Sequence, residues 1–201
     1  AMSTGARRGL LMKGGAVIEA AAKVNRIAFD KTGTLTHGRP KVTDLVVFGA
    51  TTEAELLAVA AGVETGSSHP LAIAILNKAK EARVTALPSR EAKALMGKGV
   101  VATVGDASAW VASPRYAMEN GGLDGIGLRQ ATVFEEDGKT AVAVFREKTP
   151  LGLIAMRDEP RTDATEAVRQ LKAMGITPII LTGDNPRTAA AIAGNLGMEF
   201  Q

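Results

Sequence analysis

The sequence predicts an α/β protein in which an inserted α+β domain interrupts a domain built on a parallel sheet. Two apolar segments, 27–29 and 179–181, each end abruptly in small polar residues, as buried strands of open α/β sheets do. Strand and helix patterns alternate near both ends of the chain, whereas the middle carries hairpin signals. We therefore predict a discontinuous parallel-sheet domain over 1–41 and 147–201, with the insert over 42–146.

Each predicted element follows from a local pattern. Thr51-Thr52 lie before two glutamates and indicate a helix start, and Pro70 starts another helix after a glycine and two serines. Gly105-Asp106 lie between two short apolar runs and predict a hairpin, and Gly175 marks a helix end. The predicted helices are 14–24, 53–63, 70–83, 114–120, 126–134, 161–174 and 186–196. The predicted strands are 26–29, 42–48, 100–104, 107–111, 140–145, 151–156 and 178–181.

The composition excludes several classes of function. The 201 residues carry a formal net charge of +3, with basic residues spread along the chain, which argues against a nucleic-acid-binding surface. The chain has no cysteine, so it contains neither disulfides nor thiolate metal ligands. No apolar run in it reaches the length of a transmembrane helix.

The first candidate site is the segment Asp30-Lys31-Thr32-Gly33-Thr34-Leu35, which follows the predicted strand 26–29. A carboxylate at the carboxyl end of a strand can attack a phosphoryl group and become an acyl phosphate. Lys31 adds positive charge, the two threonines offer hydroxyls, and Gly33 lets the backbone approach a phosphate closely. The alternative interpretation is that Asp30 only caps a turn.

The second candidate site, Thr182-Gly183-Asp184-Asn185-Pro186, repeats the same order of strand, small-residue turn and helix start. Thr182 and the Gly183 backbone can donate hydrogen bonds to phosphate oxygens, and Asp184 adds a carboxylate near a metal and a nucleotide. A purely structural interpretation also holds here, because Asn185 is a good helix N-cap and Pro186 a good first helical residue.

Three features of the middle segment are ambiguous from the residues alone. His69 precedes a helix-starting proline, which by itself indicates only an extended backbone. Gly97-Lys98-Gly99 does not open a helix, so a dinucleotide-binding fingerprint is not indicated. Trp110 and Tyr116 are candidates for stacking on a base, but the scarcity of aromatic residues favours a core role.

Together these motifs resemble one protein family. The hexapeptide 30–35 resembles the phosphorylation motif of P-type ATPases, ion pumps that pass through an aspartyl-phosphate, and 182–186 resembles a second loop of those pumps. His69-Pro70, with Ser67-Ser68 before it, resembles the heavy-metal (P1B-type) branch, in particular zinc, cadmium, lead or cobalt exporters. The resemblance implies a haloacid-dehalogenase-like phosphorylation domain, incomplete at its C-terminus, with an inserted nucleotide-binding domain.

The resemblance also implies cofactors and residue roles. ATP is expected to bind the insert, and Mg²⁺ is expected to bridge the phosphate, the Asp30 carboxylate and the Thr32 backbone. The implied catalytic residues are Asp30, Lys31, Thr32, Thr182, Gly183 and Asp184, and the implied nucleotide-binding residues are Glu64, His69, Gly97 and Gly99. The segment Asp158-Glu159-Pro160-Arg161 resembles a hinge between the two domains, with a glutamate in place of one proline.

As an enzyme, the chain would be part of an ATP-driven metal-cation translocase. Its expected partners are ATP and the transmembrane and actuator domains of the same pump, with the divalent metal bound elsewhere and no nucleic acid. The expected location is the cytosolic side of a plasma (inner) membrane, and the chain by itself is expected to turn over poorly.

Two alternatives remain open from the sequence. A soluble phosphatase of the same fold usually has a second aspartate two residues after the nucleophile, where this chain has Thr32. A non-catalytic nucleotide-sensing module is the other alternative, and the intact motif around Asp30 argues against it.

Overall fold

The computed structural model describes residues 15–183 and 185–200 and contains two sheets. Strand β1 (Arg26–Asp30) pairs in parallel with β8 (Thr177–Leu181), so that Asp30 lies opposite Leu181. The second sheet is antiparallel and has six strands in the order β2-β7-β6-β5-β4-β3. The predicted combination of a parallel sheet with an inserted α+β unit is therefore confirmed.

The remaining elements have the following bounds. The strands are β2 (Lys41–Val47), β3 (Ser89–Leu95), β4 (Gly99–Val104), β5 (Ala107–Ala112), β6 (Thr140–Arg146) and β7 (Thr149–Arg157). The helices are α1 (Gly15–Ala21), α2 (Glu53–Glu64), α3 (Pro70–Glu81), α4 (Pro114–Asn120), α5 (Gly125–Glu136), α6 (Ala164–Ala173) and α7 (Pro186–Asn195). Within the described part of the chain, none of these helices is long and apolar enough to span a lipid bilayer.

Helices cover both faces of the antiparallel sheet, and β6 shows how the sequence divides them. Val142 and Val144 belong to the core beneath α2 and α3, together with Leu56 and Ile75. Their neighbours along β6, including Phe145, belong to a second core beneath α4 and α5. This alternation is the period of two expected for a strand, and burial on both faces explains why β6 is apolar from Ala141 to Phe145.

The antiparallel sheet extends further along the chain than the predicted insert. Strand β7 begins after residue 146, yet it pairs with both β6 and β2. Residues 149–157 therefore belong to the antiparallel sheet, and the domain limits at 42 and 146 stay a prediction. The β1–β8 pair has its own core, in which Phe29 and Ile180 pack against Val168 of α6 and Ile192 of α7.

Strand β3 is the element that the sequence pattern does not predict. It lies at the edge of the sheet, pairs only with β4 in the strand order, and its side chains are exposed or half-buried. Its residues, Ser-Arg-Glu-Ala-Lys-Ala-Leu, favour helix as much as strand and show no apolar alternation. Pairing with β4 therefore determines its conformation, with a register shift between Arg90 and Lys93.

The β3–β4 turn has a strict steric requirement at Gly99. Its φ is +139°, and a Cβ there would lie 2.2 Å from the Val111 carbonyl oxygen. We expect Gly99→Ala to destabilise the fold by about 3 kcal/mol or more, because strain and a clash with backbone act together. Urea unfolding of the variant measures this loss.

The matched control is Gly97→Ala in the same turn. Gly97 also has a positive φ, +67°, but a Cβ there would meet no atom within 4 Å. Gly97→Ala should lower the free energy of unfolding by about 1 kcal/mol, because only the left-handed backbone conformation is then unfavourable. Equal losses in the two variants would contradict a role for close packing of β4 against β5 at Gly99.

Candidate functional site

Asp30 lies at the exposed carboxyl end of β1, and the loop that follows it is anchored by buried residues. Asp30 itself is exposed, whereas the adjacent Lys31 is 5% exposed and Leu35 packs in the core of the parallel pair. The backbone N–H of Thr36 donates to the Lys31 carbonyl at 3.1 Å. The loop is therefore anchored at its end while Asp30 stays exposed to solvent.

The Thr182–Gly183 segment begins directly beside this loop. Leu181, the last residue of β8, is the register partner of Asp30, so both chains leave the sheet at the same edge. Asn185 then caps α7, with its Oδ1 accepting a hydrogen bond from the Arg187 N–H at 2.9 Å. The predicted site residue Asp184 lies outside the described residues. The two loops predicted from sequence thus lie together.

Asp158 holds the two connections between the sheets against each other. Its carboxylate accepts hydrogen bonds from the Thr36 hydroxyl, the Gly38 N–H at 3.1 Å and the Arg39 N–H at 3.0 Å. The carbonyl of Glu159 accepts from the His37 N–H. This pairing of 36–39 with 158–159 matches the hinge expected from sequence. Asp158 accepts there from one hydroxyl and two backbone N–H groups.

An open cleft joins the hinge, the Asp30 loop and the start of α3. Its lining residues are Lys31, Thr32, Pro40, His69, Pro70, Leu71, Thr140 and Asp158. The structure therefore brings His69, predicted from sequence as a nucleotide contact, to the same cleft as Lys31 and Thr32. These residues are more than 35 positions apart in the chain, and the fold brings them together.

His69 has a structural role as well as an exposed surface. Its Nδ1 accepts a hydrogen bond from the Leu71 N–H at 3.3 Å, which caps α3 ahead of Pro70. In a neutral imidazole this arrangement leaves the proton on Nε2, where it can be donated to a ligand. The structural and binding interpretations of His69 are therefore compatible, since they use different nitrogens.

Glu64 is a buried carboxylate at the end of α2. The residue is 5% exposed, and its Oε2 has no hydrogen-bond partner among residues 15–183 and 185–200. Burial raises the pKa of Glu64 to about 7, an effect that a hydrogen bond with Ser67 partly offsets. A buried carboxylate oxygen without a partner is costly unless a ligand donates to it.

The glycine pair lies where the chain turns from β3 into β4. Val63 and Val100, the neighbours of Glu64 and Gly99, pack in the same core. Gly97 and Gly99 themselves are not among the residues that line the His69 cleft. Glu64 is also linked to His69, because a hydrogen bond joins Glu64 to Ser67 and the Ser67 hydroxyl oxygen accepts from the His69 N–H at 3.3 Å.

Other candidates have different roles from those that the motifs indicate. Trp110 stacks on Phe145 with ring centroids 4.9 Å apart, and Tyr116 packs in the same cluster, so the core interpretation is confirmed. Sequence reasoning missed Glu135, which is 5% exposed at the end of α5. Burial raises the pKa of Glu135, and Arg187 and Asn185 partly offset this effect. No pattern in the sequence marks it, because its partners are 50 residues away.

The site residues provide oxygen donors for a magnesium ion without forming a cage. The described residues contain no group of three or more His, Cys, Asp or Glu side chains able to hold a metal. Mg²⁺ commonly binds through one or two carboxylates together with substrate phosphates. The Asp30 carboxylate and the Thr32 backbone carbonyl fit that kind of site.

Comparisons with known proteins identify the family of this chain. A family model described as haloacid dehalogenase-like hydrolase matches residues 24–200. The zinc/cadmium/lead-transporting P-type ATPase of Escherichia coli is 44% identical over 202 residues, covering 100% of this chain and 27% of that protein. A probable copper-exporting P-type ATPase V of Mycobacterium tuberculosis is 41% identical, with 97% and 26% covered. The chain therefore spans about a quarter of the length of these curated relatives.

Solved structures show the same similarity. A zinc-transporting PIB-type ATPase in the E2.Pi state superposes with a TM-score of 0.69 at 43% identity, over 100% of this chain and 32% of that one. The catalytic domain of the CPx-ATPase CopB-B gives a TM-score of 0.68 at 28% identity, with 99% and 71% covered. The chain belongs to the haloacid dehalogenase-like hydrolase family, and within it corresponds to the catalytic region of heavy-metal P-type ATPases.

Proposed function

We propose that this chain binds ATP and receives its γ-phosphate on Asp30, as the catalytic region of a pump that exports divalent heavy-metal cations. The observation that carries the proposal is the cleft that Lys31 and Thr32 share with His69 and Pro70. A nucleotide held at the start of α3 has its phosphates within the reach of the loop that follows β1. The similarity to zinc/cadmium/lead-transporting relatives supports divalent heavy-metal cations as the transported ions.

The chemical step uses the exposed carboxylate directly. An Asp30 carboxylate oxygen attacks the γ-phosphorus, and the bond from that phosphorus to the bridging oxygen breaks. ADP leaves with the electron pair, and an acyl phosphate remains on Asp30. Lys31, Thr182 and the Gly183 N–H stabilise the negative charge that spreads over the transferring group. Asp184 is assigned to the same step on its motif alone.

The Asp30 carboxylate and the Thr32 carbonyl are the groups of this chain that would hold a magnesium ion. When bound, Mg²⁺ would neutralise charge on the phosphates. Thr32 also replaces the second aspartate that a phosphatase of this fold uses as a general acid. The acyl phosphate is consequently not hydrolysed quickly within this region.

The rest of the pump completes the cycle. The transported metal binds in a transmembrane domain, and an actuator domain hydrolyses the phosphoenzyme, both outside this chain. Residues 15–200 then lie on the cytosolic side of the membrane. Glu64, His69, Gly97 and Gly99 bind the nucleotide, with the unpartnered Glu64 Oε2 accepting a hydrogen bond from it.

The role of Asp30 is tested in the full-length protein that contains this chain. Asp30→Asn removes the nucleophile, so hydroxylamine-sensitive labelling by [γ-³²P]ATP should disappear. Asp106→Asn changes an exposed hairpin carboxylate and should label like the wild type. Retained labelling in the Asp30 variant would show that Asp30 is not the phosphate acceptor. Rapid multiple turnover of small phosphoesters by the wild type would instead favour a soluble phosphatase.

The role of His69 is tested with a substitution that keeps the helix cap. Asparagine is a good N-cap, so His69→Asn should hold the Leu71 N–H while removing the ring. We expect the melting temperature to stay near that of the wild type and ATP affinity to fall about tenfold, the value of one contact. Calorimetry and thermal unfolding measure the two quantities.

The control for His69 is the other histidine, His37, which is exposed. His37→Asn should change neither ATP affinity nor melting temperature, because the contact of His37 with Glu159 uses the backbone N–H. Wild-type affinity in the His69 variant would mean that the residue serves α3 alone.

The buried Glu64 predicts a pH dependence of stability. Its folded-state pKa, about 7, lies above the usual value of 4.5, so folding favours the protonated form. This contribution is fully present below pH 4.5 and is lost as the pH rises towards 7, by up to roughly 1.4 kcal/mol per unit. Glu64→Gln should therefore be more stable than the wild type at pH 8, by on the order of 2 kcal/mol, and about equal at pH 5.

Urea unfolding at the two pH values measures this difference. The exposed Glu81→Gln should show the same stability relative to the wild type at both pH values. Glu64→Gln should also weaken ATP binding, since an amide cannot replace the acceptor pair of a carboxylate. A stability difference that does not change between pH 5 and pH 8 would contradict the elevated pKa.

A further inference from the structure

Helix α7, which follows the Thr182–Gly183 loop, is hydrogen-bonded to the end of α5. The Glu135 carboxylate of α5 accepts a hydrogen bond from the Asn185 side-chain amide at 2.8 Å and another from the Arg187 guanidinium at 3.3 Å. The Thr188 hydroxyl donates to the Lys139 carbonyl at 2.9 Å. These contacts join residues about 50 positions apart.

Asn185 uses both ends of its amide in this arrangement. Its Oδ1 caps α7 through the Arg187 N–H, while its Nδ2 donates to Glu135. The cap determines where α7 begins, and the chain reaches it two residues after Gly183. The Glu135 carboxylate therefore fixes the orientation of the residue that ends the phosphate-side loop.

The connection continues from α5 to the hinge. The Lys139 ammonium contacts Asp44 at 2.9 Å and Asp137 at 3.2 Å, and Arg157 contacts Asp137 at 2.6 Å. Arg157 directly precedes Asp158, the carboxylate that holds 36–39. Polar contacts thus lead from the start of α7, through the α5–β6 turn, to the exit of the Asp30 loop.

We propose that Glu135 is a positioning residue for phosphoryl transfer, which holds the Thr182–Gly183 loop beside Asp30 by orienting Asn185. This inference rests on the proposed function. Glu135 is buried. An apolar side chain at this position could not accept the hydrogen bonds from Asn185 and Arg187, which fix the direction of both donors of α7.

The test exchanges the donor and the acceptor between two residues. Asn185→Asp keeps a good N-cap oxygen but sets a carboxylate against Glu135, and Glu135→Gln removes the charge that faces Arg187. The double variant Glu135→Gln/Asn185→Asp restores a hydrogen bond of reversed polarity with the same net charge. Glu136→Gln, at the exposed neighbouring carboxylate, is the matched control.

Two readouts are measured in the full-length protein: the rate of phosphorylation by ATP at saturating ATP, and amide exchange over 182–188. Asn185→Asp should slow phosphorylation about tenfold with unchanged ATP affinity and should speed amide exchange in the loop. Glu135→Gln should act in the same direction. The double variant should recover both quantities to within about threefold of the wild type, and Glu136→Gln should change neither.

The inference is overturned if the Asn185 variant keeps wild-type exchange over 182–188, or if the double variant is no better than the worse single variant. It is also overturned if ATP affinity falls while the saturated rate is unchanged. Failure of the proposed function is distinguishable, because the wild type would then form no phosphoenzyme at all. The exchange measurement still decides whether Glu135 holds the loop in that case.

Discussion

Parallel pairing of β1 with β8, with Asp30 opposite Leu181, is the constraint on which the site depends. A slip of one residue would move Thr182 by about 3.3 Å along the strand and turn alternate side chains to the other face. Burial opposes that slip, because Phe29 and Ile180 both pack in the core with α6 and α7. The loops that follow Asp30 and Leu181 therefore meet at one edge because the strands below them are held in register.

The hinge determines how the antiparallel sheet meets that edge. The chain leaves the Asp30 loop through 36–39 and returns through 158–161, and Asp158 accepts three hydrogen bonds from the outgoing segment. Further along the return, the Arg161 N–H donates to the Leu35 carbonyl. Two crossings that are bonded to each other move together. The cleft that contains His69 is thus built on a paired connection between the two sheets.

The sequence predicts local features of this protein well and long-range contacts poorly. The strand that ends at Asp30, the Asn185 cap and the Gly105-Asp106 hairpin each depend on neighbours a few positions away, and the structure has all three. Strand β3 was missed because its partner β4 determines its conformation. Glu135 was missed for the same kind of reason. In the sequence it resembles an exposed glutamate at the end of a helix, and only the packing of α7 against α5 buries it beside Arg187.

Strand β7 illustrates the same limit on predicting long-range contacts. The segment 151–156 was predicted as a strand, but its local sequence does not indicate which sheet it joins. Pairing with β6 and β2 assigns it to the antiparallel sheet. Strand pairing is a long-range property, whereas the chemistry expected of Asp30 and Thr182 follows from short motifs at strand ends.

The two buried glutamates of the antiparallel half show how the same side chain can serve two purposes. Glu135 is surrounded by donors from α7, and these partly offset the rise in its pKa that burial causes. Glu64 is equally buried, its Oε2 lacks a partner within the described residues, and its pKa rises to about 7. A carboxylate with partners serves the packing of helices, and one without a partner is a cost that a ligand can remove. Glu64 can therefore still accept a hydrogen bond from a ligand through Oε2. Glu135 already accepts hydrogen bonds from Asn185 and Arg187.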